Sequence, residues 1–216
     1  MTRAIVDIRA AVRDKRQQLR SADSVSAVLV HRVGVNLQTG VAIGYNAESI
    51  CDAFTGQDPR WAGVASVTNS QNPYTFYIGG DLGGGQDGLI WQALSLQEIG
   101  WHARSASRGS IGIAMIGDFR RKVGRMPSKA QMSSLVWLVS GLCSVLGLEP
   151  SCVLGHGEVT GAHGGEKASG EPDACPGDYV DMDRVRAAVG ASVGPSCCVT
   201  ARKALRESGM SFDHSP

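Results

Sequence analysis

No stretch of this 216-residue chain holds the roughly 20 consecutive apolar residues that a bilayer-spanning helix needs. Met1 to Arg20 also lacks the apolar run of about 7–15 residues found in a secretory signal. The expectation is therefore a protein made in, and at first kept in, a cytoplasm. Charge of one sign is missing too. The 21 Lys and Arg against 20 Asp and Glu leave a formal net charge of +1, without the strong basic excess of nucleic-acid binders. Six cysteines are present, but in a reducing compartment they do not form a disulfide framework. Cys197 and Cys198 are adjacent, and Cys143 among Leu142, Val145 and Leu146 reads as a small core residue. Only Cys175 has neighbours that suggest chemistry. There is no internal repeat and no low-complexity array. What is present is enough apolar material for a core: 43% hydrophobic residues against 19% charged.

Residues 3–20 read as a basic amphipathic helix, forming an N-terminal appendage over residues 1–22. Ile5, Ile8 and Val12 recur at helical spacing, while Arg3, Arg9, Arg13, Lys15, Arg16 and Arg20 outnumber Asp7 and Asp14. Such a helix either packs its narrow apolar stripe on the main domain or meets an anionic surface such as lipid or teichoic acid. The main domain is expected over residues 23–190, followed by a polar tail over 191–216. Val28, Leu29 and Val30 form a buried strand ending at His31. A glycine- and polar-rich stretch, roughly Gly34 to Asn72, carries only weak structural signals. Tyr74–Ile78 and Gly88–Leu94 read as two strands joined by a glycine-rich segment. Ile111, Ile113 and Met115 alternate with small residues in another strand.

The clearest helix covers residues 129–146. Ser128 and Gln131 make a capping box, and Leu135, Val139, Leu142, Val145 and Leu146 form its apolar face. A short strand over Cys152–Leu154 leads into Gly155-His156, and a last helix is expected over Asp181–Val189. Strands interleaved with helices indicate an α/β domain with a central mixed β-sheet flanked by α-helices.

Three residues stand out for chemistry. His31 and His156 fall at or just past the ends of expected strands, and Cys175 sits in a loop before the last helix. Strand ends and adjoining loops are where a rigid sheet converges side chains on one point. Two imidazoles and a thiolate suit Zn²⁺, and three protein ligands leave the fourth tetrahedral position open for water. Taken singly, a histidine after an apolar strand is more often structural than a ligand. Spacing alone does not settle the matter.

The local sequences add weight. Val28-Leu-Val-His31, Tyr74-Thr-Phe-Tyr-Ile with Asp87-Gly-Leu-Ile, and Trp101-His102-Ala come first. Gly109-Ser-Ile-Gly-Ile-Ala-Met-Ile-Gly117, Gly155-His-Gly-Glu-Val159 and Ala174-Cys-Pro-Gly177 follow in that order. Together, over about residues 24–190, they resemble the type-2 N-acetylmuramoyl-L-alanine amidase family, which includes phage lysozyme-like amidases and peptidoglycan-recognition proteins. The resemblance implies a single domain with a zinc site in a surface groove. It makes His31, His156 and Cys175 the ligands of one zinc ion. It makes Tyr74 a catalytic phenol beside the metal, orienting water or stabilising an oxyanion. His102 matches a histidine near the substrate groove, where it either contacts substrate or positions its own loop. Glu158 reads as a support for the His156 loop or an imidazole N–H.

Two departures from the family pattern matter. Relatives often carry lysine or threonine two residues before the last ligand, where this chain has Asp173. A carboxylate does not stabilise negative charge directly, so Asp173 is left as a substrate-side residue that acts as a base, as a hydrogen-bond acceptor, or not at all. The segment between His156 and Cys175 is also long and glycine-rich. Its His163 is open as a competing ligand and Lys167 as a replacement for the missing lysine, against the plainer reading of a solvated loop. The resemblance implies a zinc amidase acting on peptidoglycan, with phage endolysin as the leading role. A cytoplasmic muropeptide-recycling amidase and a non-catalytic peptidoglycan-binding module are the rivals.

Overall fold

The structure is a computed structural model, and it describes residues 4–9, 18–33, 73–81, 87–160 and 175–193. Six strands form one sheet: β1 (Ile5–Asp7), β2 (Ala27–Val33), β3 (Phe76–Ile78), β4 (Ile90–Gln92), β5 (Ser110–Ile116) and β6 (Val153–Gly155). Their spatial order is β1-β4-β3-β5-β2-β6. Only β3 and β4 pair antiparallel; the other neighbours are parallel. The sheet is therefore mixed, as expected. The seven-residue strands β2 and β5 form its centre; β5 is buried throughout and β2 from Val28 to His31, as strands covered on both faces are.

Period-two alternation divides the side chains between the two faces. Val28, Val30, Phe76, Ile78, Ile90, Ile111, Ile113 and Met115 join a core with α1 (Lys129–Leu146) and α3 (Met182–Val193), which contribute Leu135, Val139 and Leu142, and Val185 and Val189. The opposite face carries Ala27, Leu29 and His31 from β2, where Leu29 packs with Ala103 and Val159 in a small separate cluster. Chemistry is concentrated on that second face.

The α1 boundaries match those read from the sequence. Ser128 Oγ accepts from the Gln131 amide, and the Gln131 side chain accepts from the Ser128 amide, satisfying two N-terminal donors that the helix itself leaves unpaired. Gln131 Nε2 also donates to the Ile116 carbonyl at 3.0 Å, tying the cap to the end of β5. Gly147, at φ 63°, closes the helix in the left-handed region. The expected apolar face needs one change: Val145 is 50% exposed, while Leu138 and Cys143 lie in the core. α1 has the length and mean hydropathy of a membrane span, but here it packs against the sheet and α3.

The N-terminal helix is a correction. Ile5–Asp7 is a strand pairing parallel with β4, and Ala22–Ser24 forms a 3-10 turn. The helical spacing of Ile5, Ile8 and Val12 misled because a short edge strand needs only three residues and takes its stability from its neighbour. Residues 10–17 lie outside the described residues. The charges of two arginines counted in the basic patch are also engaged locally. Arg9 pairs with Asp7 at 2.7 Å. Arg20 donates to the carbonyls of Leu96 at 3.2 Å, Ser107 at 2.8 Å and Ser110 at 2.6 Å, and burial lowers its pKa to about 10. That guanidinium clamps the 3-10 segment Arg104–Gly109 against the sheet.

Candidate metal centre

His31 lies inside β2 rather than at its end, and is 2% exposed on the face away from α1 and α3. Parallel pairing of β2 with β6 sets Val30 opposite Gly155, so the next residue along each chain brings His31 and His156 together. His156 opens α2 (His156–Thr160), and the two imidazole centroids are 4.5 Å apart. Glu158 supports this turn as expected: its carboxylate accepts from the Gly155 amide at 2.6 Å and is gripped by Arg186 at 3.0 Å.

Cys175 arrives from the other end of the chain. Its carbonyl accepts from the Gly157 amide at 2.7 Å, and the Arg32 amide donates to its sulfur at 3.4 Å. Gly177 fixes the loop. Its φ of +123° is rarely open to residues with a Cβ, and a Cβ there would stand 2.6 Å from the Phe119 carbonyl carbon. Gly177→Ala is therefore expected to cost roughly 2–3 kcal/mol of stability by urea denaturation and to weaken metal retention, because the strain falls two residues from Cys175. Wild-type stability in this variant would show that the loop is not held there.

One ligand atom from each of His31, His156 and Cys175 lies within 4.8 Å of the others, and Cys175 Sγ is 3.9 Å from His31 Nδ1. A tetrahedral ion with Zn–S of about 2.3 Å and Zn–N of about 2.0–2.1 Å sets its donors roughly 3.3–3.6 Å apart. The three side chains are set somewhat wider than that spacing, within reach of it by small side-chain rotations, and their mixed nitrogen and sulfur chemistry fits such an ion. Protonation agrees as well. Burial first, then the nearby imidazoles of His102 and His156, hold the His31 pKa well below the ordinary imidazole value. His31 is therefore neutral, the form that donates a lone pair to a metal.

Tyr74 lies just before β3, its ring 5.0 Å from that of His31 and edge-on to Tyr77 at 5.6 Å. His102 is nearer than the sequence suggested. Its Nδ1 is 2.9 Å from His31 Nε2, its Nε2 is 3.4 Å from Ser110 Oγ, and burial lowers its pKa to about 3. Gly112 makes room for that ring, since a Cβ there would come 2.6 Å from His102 Cδ2. Ser110 and Gly112 were not singled out from the sequence. The available signal was the regular smallness of Ser110, Gly112 and Ala114 between bulky neighbours, which leaves one face of β5 almost bare. Asp173, His163 and Lys167 lie outside the described residues.

Behind the site, Asp118 is fully buried between Arg120 and Arg32. Burial alone would raise its pKa, but hydrogen bonds from Arg120 and the charge of Arg32 outweigh this and hold it low. The charge of Arg32, whose amide meets Cys175, is thereby balanced.

Comparisons with known proteins agree on the fold and the family. A search of curated proteins by sequence finds no significant match. Among solved structures, the N-acetylmuramoyl-L-alanine amidase LysC from Clostridium intestinale URNW superposes with a TM-score of 0.55 at 19% identity, covering 86% of this chain and 97% of its own. Drosophila PGRP-LB gives 0.56 at 19%, covering 88% and 94%. The Ph2119 endolysin from the Thermus scotoductus MAT2119 bacteriophage gives 0.56 at 17%, covering 86% and 99%. At these identities the likeness shows a shared fold. The model of the N-acetylmuramoyl-L-alanine amidase family (Amidase_2) matches residues 21–178, a span holding β2 to β6 and all three clustered side chains, and the chain belongs to that family.

Proposed function

We propose that this chain is a zinc-dependent N-acetylmuramoyl-L-alanine amidase, hydrolysing the amide between muramic acid and L-alanine in peptidoglycan, and that it serves as a phage endolysin. The observation that carries the reading is the convergence of His31, His156 and Cys175 from three separate segments. When bound there, zinc supplies a water acidified to a pKa of about 7 and a Lewis acid for the scissile carbonyl. The protein's own part is to orient and to exclude. His31, His156 and Cys175 would present two nitrogens and a sulfur to the ion, and the Gly155–Glu158–Arg186 contacts hold the α2 turn in place.

Tyr74 is the phenol nearest the cluster among the described residues. Beside a cation its hydroxyl can orient the attacking water or donate to developing negative charge. Tyr74→Phe is expected to keep metal stoichiometry while lowering kcat by about 10²-fold, the loss typical of one removed transition-state donor. An unchanged kcat would reduce Tyr74 to packing.

Metal analysis together with mass spectrometry of digested cell walls tests the reading. Stoichiometric zinc and free stem peptides beginning with L-alanine are expected. Muropeptide binding without zinc or cleavage would move the chain to the non-catalytic recognition class. The endolysin role predicts peptide release from intact sacculi. Release confined to soluble anhydromuropeptides would make it a recycling enzyme.

A further inference from the structure

The hydrogen bonds around His102 form an ordered series whose direction follows from one proton. Ser110 Oγ lies 2.7 Å from the Ala106 carbonyl. A carbonyl only accepts, so the single hydroxyl proton of Ser110 is committed there. Toward His102 Nε2, 3.4 Å away, the hydroxyl is then an acceptor, which places the imidazole proton on Nε2. A neutral imidazole has one N–H, leaving His102 Nδ1 with a lone pair 2.9 Å from His31 Nε2. His31 must donate there. Its other nitrogen, Nδ1, is left unprotonated, and that is the atom 3.9 Å from Cys175 Sγ.

We propose that Ser110 and His102 form a proton-fixing relay that holds His31 as its Nε2–H tautomer and turns its Nδ1 lone pair toward the metal position. The inference rests on the zinc reading above and assigns His102 as a positioning residue rather than a substrate contact. Both of its ring nitrogens face protein groups. Gly112 is the third part of the device. It sits beside Leu29 in the β2–β5 register, on the face that carries His31, and any side chain there would displace the His102 ring. Metal-ligating histidines generally need such a partner to fix tautomer and ring orientation.

The test compares the wild type with His102→Leu, which removes the acceptor, and His102→Asn, whose carboxamide oxygen stands near the lost Nδ1. Zinc affinity is measured by chelator competition, and the cobalt-substituted forms are compared by their thiolate-to-metal absorption. His102→Leu is expected to bind zinc about 10–100-fold more weakly, with an altered cobalt spectrum. His102→Asn is expected to stay within about threefold of wild type, as one acceptor is kept. Long-range ¹H–¹⁵N spectra of the zinc-loaded wild type should show both His31 and His102 protonated at Nε2. They decide the matter even if His102→Leu does not fold. Unchanged affinity in His102→Leu, or a His102 protonated at Nδ1, overturns the relay. A wild type that takes up no zinc overturns the metal reading beneath it.

Discussion

Cys175→Ala is expected to leave a folded protein that holds little zinc and hydrolyses peptidoglycan at least about a thousandfold more slowly. The size of the loss follows from what the ion supplies. Zinc brings the ionisation of its bound water from far above neutrality down to a pKa near 7, so a site without the ion forfeits almost the whole nucleophile at neutral pH. Removing the sulfur also strips the centre of its one anionic ligand, leaving two neutral imidazoles to compete with solvent for the ion. The fold should survive, because the loop is held by contacts that do not involve the sulfur. The Cys175 carbonyl still accepts from Gly157, and the Tyr179 amide still donates to Phe119 at 3.1 Å. Circular dichroism, zinc content and turnover measured on one preparation separate these effects. His156→Ala should reproduce the loss, since its imidazole stands in the same cluster. Wild-type turnover in either variant would remove the metal from the mechanism.

Acid is expected to unfold the metal-free protein well before its carboxylates titrate. His31 and His102 both have pKa values depressed in the folded state, chiefly by burial; that of His102 falls to about 3. In the unfolded chain both return to about 6.5. Below that pH the unfolded state binds more protons than the folded state, so stability falls as pH falls. The contribution is intact above pH 6.5 and is lost progressively toward pH 3. His102 alone, with a slope approaching about 1.4 kcal/mol per pH unit below 6.5, removes about 2 kcal/mol between pH 6.5 and 5, and His31 acts in the same direction, against a typical domain stability of about 5–15 kcal/mol. Urea midpoints of the metal-free protein across that range give the measurement. Asp7, Asp118 and Asp178 have lowered pKa values and act only further down. A flat profile between pH 6.5 and 5 would mean that the two rings are solvated or charged.

Much of this architecture was legible in the residues, for identifiable reasons. α1 carried a complete set of local signals: a capping box, an apolar stripe and a terminal glycine. All of them act over a few residues and so survive without tertiary information. Of the central strands, β5 was legible through its alternation and β2 through its apolar run, although β2 continues past His31 to Val33 and takes that histidine inside the sheet. β1 was not legible. A three-residue edge strand has no periodicity of its own, and its formation depends on β4, far away in sequence. The cluster of His31, His156 and Cys175 was suggested by ligand type and motif order, but its convergence depends on the β2–β6 register and on the Cys175 loop seating under Phe119. Neither can be counted from spacing. The contact between His102 and His31 was further out of reach, because it requires knowing that Gly112 leaves the floor of the sheet open.

That open floor gives the sheet two unequal faces. Against α1 and α3 the side chains interlock as bulk, so exchanges that conserve volume should be absorbed by neighbouring rotamers. On the far side, Ala27, Gly112 and Ala114 keep the surface low, and at Gly112 a single added methyl group meets the His102 ring. Sequence drift in this protein should therefore accumulate behind the sheet, while these small residues in front of it stay as constrained as the histidines they accommodate.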